Sequence, residues 1–469
     1  MPAKEFVLDD VFVDERLDAL LADPLFRVTE NVLTREDLWK ALARHEALSQ
    51  ERIYNVKTNE VKPVTRQKSS GRCWIFAGLN QMRGGIAKNL GLDELELSQN
   101  YVYFYHLLES AHCWMRYIVE RRQLFKESPQ ESRELDYLLK TPPRDAGQYD
   151  MFAALVLKYG VVPVKVYPDT HHSGASRRMR AMLHMRLRQA ASVLCEKEDD
   201  TEAFIKSEMK WIFTFLCRCL GRPPRRFSIS FDTKKNGIVN FDHVTPLGFA
   251  QQATVQRVET GATDVSNRHS VLDIVRDGVS LVHDPRHPRG MVMTVDCLHN
   301  IHNSDRPIRY VGGSISDLKL AALRQLQSGL PVWFGCDFGK FLCRELDLQD
   351  PNIFEWSLVD LSDGLFSCDK RERLLWRVSE MTHAMVLTGA HVETDPGTKE
   401  EKVTRWRVEN SHGAKHVGKG FLNLSDEYFD ECIFQIVVLR RFLPPELLEA
   451  YETREVFHLP PWDPMGALA

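Results

Sequence analysis

The chain has 469 residues, 43% hydrophobic and 27% charged, with a formal net charge of −4. That is enough for a large core or about two to three ordinary domains, and the balance is that of a globular protein. Nothing in that charge suggests a global attraction to polyanions, and no apolar run approaches the roughly 18 residues of a membrane helix.

Met1 to Glu30 is acidic and lacks the basic and apolar regions of a secretory signal. The ten cysteines form no framework: Cys217-Arg218-Cys219 is too tight for a zinc pair, and His112-Cys113 and His171-His172 lack a second half at ligand spacing. The expectation is reduced thiols in a cytoplasmic protein without a metal or other cofactor.

Residues 1–60 read as helices forming an N-terminal wrap, with Leu33-Thr34-Arg35-Glu36-Asp37 a capped helix start. Residues 61–225 read as a helical half. Near its beginning, Gln67-Lys68-Ser69-Ser70-Gly71-Arg72-Cys73-Trp74-Ile75-Phe76 is a loop running into a buried helix. Gly71 permits a tight backbone, Ser69 or Ser70 offers a cap, and Ile75, Phe76, Leu79 and Met82 make a core-facing stripe at helical spacing. A thiol at a helix N-terminus meets the positive end of the macrodipole, which favours thiolate. Gln67 brings an amide that can donate to an oxyanion. Taken alone, a cysteine beside Trp and Phe is more often an inert small hydrophobe, so the reading depends on partners elsewhere.

Ser98 to Tyr105 reads as a capped aromatic helix, and the charged helical stretch after it ends at Thr141-Pro142-Pro143. Asp145-Ala146-Gly147-Gln148 then leads into an apolar helix ending at Tyr159-Gly160. Its small residues admit a close ligand, or make a plain turn. Residues 175–220 are helical and carry one basic cluster, Arg177, Arg178 and Arg180; Arg222, Arg225 and Arg226 follow as a second. A solvated helix face explains each cluster; a nucleic-acid partner is the alternative, with little else to support it.

From 226 to 455 the chain reads as a β-rich half with strands near Ser280, Val332, His383, Thr404 and Ile433, and 456–469 as a C-terminal arm. Helices first and strands afterwards point to an α+β fold. His383 opens one strand and Asn410 closes the next, and an antiparallel pair brings those ends together. A cysteine at a helix N-terminus packed there meets an imidazole base whose ring an asparagine orients.

The segment Gln67–Phe76, the His383-Ala384-Met385 strand and Glu409-Asn410-Ser411 resemble the papain-like cysteine peptidases. The longer match through Lys68–Phe76, Val332–Asp337, Trp406–Ser411 and Pro461–Ala469 resembles their cytosolic aminopeptidase branch. The resemblance implies a papain-like core with helical insertions, peptide substrates and a homohexamer whose C-terminal arm lies in the active-site cleft. It implies a Cys73 thiolate–His383 imidazolium pair, with the thiol pKa brought toward about 3–4, Asn410 as orienting residue and Gln67 as oxyanion donor. It also implies that Gly147 pairs with substrate through its backbone. The three prolines of Pro460-Pro461-Trp462-Asp463-Pro464 stiffen the arm, and a carboxylate at Ala469 is expected to meet a substrate's α-ammonium. Two residues depart from the pattern. His412 stands where the family has an indole over the His–Asn bond, which predicts a weakened bond, and Ala146 replaces the first glycine of a pair.

Overall fold

The computed structural model describes residues 6–49, 51–123, 133–196, 199–234, 237–256, 268–359, 368–415 and 417–467. The helices Asp10–Ala22 and Pro24–Leu33 bury none of their residues. Thr34 ends the second of them, and the next helix, Leu38–Leu42, starts only after Asp37, whose carboxylate accepts from the Lys40 N–H at 3.2 Å. The expected start at Thr34 therefore shifts to Asp37.

Five longer helices follow: α1 (Cys73–Leu90), α2 (Gln99–Glu120), α3 (Tyr149–Tyr159), α4 (Arg177–Glu196) and α5 (Thr201–Leu220). Ser98 caps α2 by accepting from Tyr101 N–H, as its sequence indicates. Gly160 stops α3 at a positive φ of 74°, the conformation glycine tolerates best. The hairpin Phe227–Thr233/Gly237–Val244 packs into the same apolar core as these helices.

Among the described residues the large mixed sheet has 12 strands; its longer ones are β1 (Gly278–Val282), β2 (Val292–Val295), β3 (Tyr310–Gly312), β4 (Val332–Cys336), β5 (His383–Thr394), β6 (Glu401–Glu409), β7 (Phe421–Ser425), β8 (Ile433–Leu439) and β9 (Val456–Leu459). Its central order is β7-β6-β5-β4-β8-β1-β3-β2-β9. β4, β8 and the first eight residues of β5 are buried on both faces, so apolar residues predominate in them. Ala384 and Val386 point into the core shared with α1, while Met385 and Leu387 point into the core under the helix Ile315–Gln327. That alternation lays α1 across the sheet with Cys73 at the end where β5 begins. Helices packed on a mixed sheet give the expected α+β architecture. Among the described residues no helix is long and apolar enough to cross a membrane.

Candidate active site

Cys73 is the first residue of α1 and is buried. The helix cap is Arg72, without a side-chain cap bond, so neither Ser69 nor Ser70 caps it as their positions suggest. Ser70 instead ties the loop to itself: its Oγ donates to the Gln67 carbonyl at 2.7 Å and accepts from Arg72 Nε at 3.0 Å. The fully buried Arg72 guanidinium forks onto Asp169, at 2.9 and 3.4 Å. Gly71 is there for close approach. A Cβ on it would lie 3.1 Å from the Asp145 Cβ, and its N–H donates to Asp145 Oδ2 at 3.2 Å.

Asp145, which the sequence did not single out for a role, joins the cysteine loop to the opposite wall. Its carboxylate accepts from Tyr103 Oη at 2.5 Å and from Ser176 Oγ, and pairs with Arg180 at 2.8 Å. Its carbonyl accepts from Trp74 Nε1 at 2.6 Å. One basic-cluster arginine is thus engaged internally. Two residues on, a Cβ at Gly147 would sit 2.6 Å from the Trp74 indole, so only glycine lets this loop lie beside α1.

On the sheet side His383 is the first residue of β5, and the pairing of Val386 with Glu409 brings Asn410 alongside that end. His383 Nε2 and Asn410 Oδ1 are 3.0 Å apart. The same oxygen accepts the Ser411 N–H at 2.7 Å, which identifies it as the amide oxygen, so Nε2 carries the proton and Nδ1 is left basic. The backbone N–H of Ala384, the residue after His383, is among the groups that favour the charged form of the Cys73 sulfur.

Burial pushes the Cys73 thiol up to about 11, against the pull of the Ala384, Trp74 and Cys73 N–H groups. Burial also lowers His383 to about 4, reinforced by neighbouring His412 and opposed by the bond to Asn410. Desolvation therefore works against the thiolate–imidazolium pair that the sequence suggests. The N–H groups around sulfur and the amide on the imidazole are what favour it.

Gln67 is buried with its amide oxygen accepting from Ser411 Oγ at 2.5 Å and its Nε2 donating to the Ser70 carbonyl at 2.6 Å. Its backbone N–H donates to the Ser411 carbonyl at 2.8 Å. The second amide hydrogen is the candidate oxyanion donor. Ser411, which the sequence reading treats only as part of a motif, thus braces Gln67 while its neighbour Asn410 braces His383.

Two rings pack near His383. The His412 ring centroid lies 5.1 Å from that of His383, and Phe338, absent from the sequence reading, lies 4.6 Å from His383 and 5.4 Å from His412. His412 Nδ1 is 3.2 Å from Asn410 Nδ2 and accepts from it. Nothing in the sequence marks Phe338, because its position depends on a turn after β4.

A cavity of about 380 Å³ opens beside the site, lined by Ala146, Trp114, Tyr137, Met381, Thr382 and the arm residue Trp462. Gln148, next to Gly147, donates from Nε2 to the Ala467 carbonyl at 2.7 Å. Ala469 lies outside the described residues.

The sequence model of the Peptidase C1-like family matches residues 8–466. The chain is 35% identical to bleomycin hydrolase of Mus musculus over 469 residues, 97% of this chain and 98% of the relative. It is 37% identical to aminopeptidase C of Listeria monocytogenes, covering 87% of this chain and 86% of the relative. The crystal structure of PepW from Lactobacillus rhamnosis superposes with a TM-score of 0.88 at 31% identity, covering 100% of both chains.

Proposed function

The chain belongs to the Peptidase C1-like family and is a papain-like cysteine aminopeptidase, and from that premise we propose that Cys73, His383, Asn410 and Gln67 carry the reaction. The observation behind this reading is the 3.0 Å contact between His383 Nε2 and Asn410 Oδ1, beside the helix that begins with Cys73. His383 Nδ1 takes the thiol proton as sulfur attacks a peptide carbonyl carbon. The carbonyl oxygen becomes an oxyanion held by the Cys73 N–H and the second Gln67 amide hydrogen. His383 then passes its proton to the leaving amine, the C–N bond breaks, and a thioester remains. Water, deprotonated by the same nitrogen, releases the acyl group and returns the proton to sulfur.

Substrates are peptides with a free amino terminus, bound with the backbone at Gly147 on one side of the scissile bond. The arm from Pro464 to Ala467, bonded to Gln148, is the stop that excludes longer chains on that side. An amide-bearing drug such as bleomycin falls within this class, as the name of one relative suggests. Exposed Val11, Leu17, Leu21, Leu25, Val28 and Val32 on the first two helices favour self-association, and a homohexamer is the assembly we expect. Sedimentation velocity checks the assembly. The activity is tested with aminoacyl fluorogenic amides, free and N-acetylated, before and after alkylation by iodoacetamide. Hydrolysis of the free amides, lost in step with labelling of Cys73, supports the reading; turnover that persists after complete labelling overturns it.

A further inference from the structure

We infer that Arg286 and Asp463 form a latch that fixes how far the arm enters the cleft, and so sets the exopeptidase stop; this rests on the arm acting as that stop.

The arm starts as β9, which runs parallel to β2 with Leu459 opposite Val295. It then turns at Pro460-Pro461, where the Asp463 N–H donates to the Pro460 carbonyl at 2.9 Å. Asp463 does two things there. One carboxylate oxygen accepts from the Met465 N–H at 2.8 Å and starts the short turn Pro464–Gly466. Both oxygens meet the Arg286 guanidinium, Nη1 at 3.1 Å and Nη2 at 2.7 Å. The two side chains are only 11% and 10% exposed.

Arg286 is itself held from behind. Asp284, fully buried in its side chain, accepts from Arg286 Nε at 2.9 Å and from Nη2 at 2.7 Å. A guanidinium gripped by one carboxylate presents its remaining fork at a fixed place, so the second carboxylate is positioned as well as attracted. Four residues after Asp463, Ala467 reaches Gln148. The other arm contacts are weaker in charge or more exposed: Arg377 Nη2 to the Trp462 carbonyl at 2.6 Å, Arg133 over the Trp462 ring at 4.2 Å and Tyr310 Oη to the Met465 carbonyl at 3.3 Å. The latch is the buried ionic contact among them, and it joins the arm to the segment that follows β1.

The test uses the full chain with Asp463→Asn, which keeps the size and the turn-starting oxygen but removes the charge. The ratio of rates on N-acetylated and free aminoacyl amides is expected to rise on the order of tenfold, the worth of one charge-assisted hydrogen bond. Amide hydrogen exchange of residues 460–467 is expected to quicken while the rest of the chain keeps its protection. Deleting residues 464–469 is the companion measurement. If deletion leaves the ratio unchanged, the arm is not the stop. If deletion raises the ratio but Asp463→Asn and Arg286→Gln both keep the original value, the latch is overturned while the stop survives. Loss of exchange protection throughout Asp463→Asn makes the pair a general support of the fold and also overturns the latch.

Discussion

The two walls of the cleft hold their reactive groups by different means. The helical wall is a web of charge. Arg72 lies on Asp169, and Asp145 gathers Gly71, Tyr103, Ser176 and Arg180 around one carboxylate. The sheet wall is held by strand register and ring packing: His383 stands at the end of β5, covered by Phe338 and His412. A charge web fails when one charge is removed, because its partners stay buried. Register survives most side-chain changes, because it is fixed along the whole strand. The loop at Asn410 and Ser411 serves both walls, one residue on His383 and the next on Gln67.

The largest losses are expected where the two walls meet in chemistry. Cys73→Ala and His383→Ala are each expected to lower kcat by about 10⁶-fold, with the double variant little worse, because the two act as a unit. Steady-state rates of the three variants check this, and independent, multiplying losses would separate the pair. Next comes the helical wall alone. Asp145→Asn leaves Arg180 without its charged partner and is expected to cost about 3 kcal/mol of stability, read from urea unfolding, whereas a sheet-wall change that spares packing costs little. Gln67→Ala is expected to lower kcat on the order of 10²-fold by removing one oxyanion donor; an unchanged kcat would place the oxyanion elsewhere.

Acid acts on both walls. His383 on the sheet wall and His106, against Trp74 on the helical wall, are both lowered by burial from 6.5 to about 4. The unfolded chain takes up these protons first, so stability is expected to fall as pH drops from about 6.5 to about 4. Cys73 adds the opposite limb: its thiol moves from 9.0 up to about 11, so stability falls as pH rises through that window. Thermal unfolding across pH measures both limbs, and a His106→Gln variant should soften the acid one.

The smallest effect is expected from His412→Trp. Indole has no acceptor for the Asn410 amide, and the neighbour that lowers His383 is gone, so the acid limb of kcat/KM is expected to move to higher pH. A limb that stays in place would show that His412 does not act through His383.

The sequence by itself determined the loop that leads into the helix at Cys73, the strand carrying His383 and the turn carrying Asn410, because each is written in contiguous residues with local chemistry. It also determined the α+β order, through helical and then extended patterning. Asp145, Ser411 and Phe338 needed the tertiary structure. Asp145 matters because Gly71, Ser176 and Arg180 converge on it from separate segments. Phe338 and His412 close over His383 only once β4, β5 and β6 are in register. The chain also gave no sign that Ser70 would bond to Gln67 and Arg72 rather than cap the helix. A serine hydroxyl takes whichever partner the fold brings within reach, and such partners come from distances in space that spacing along the chain does not encode.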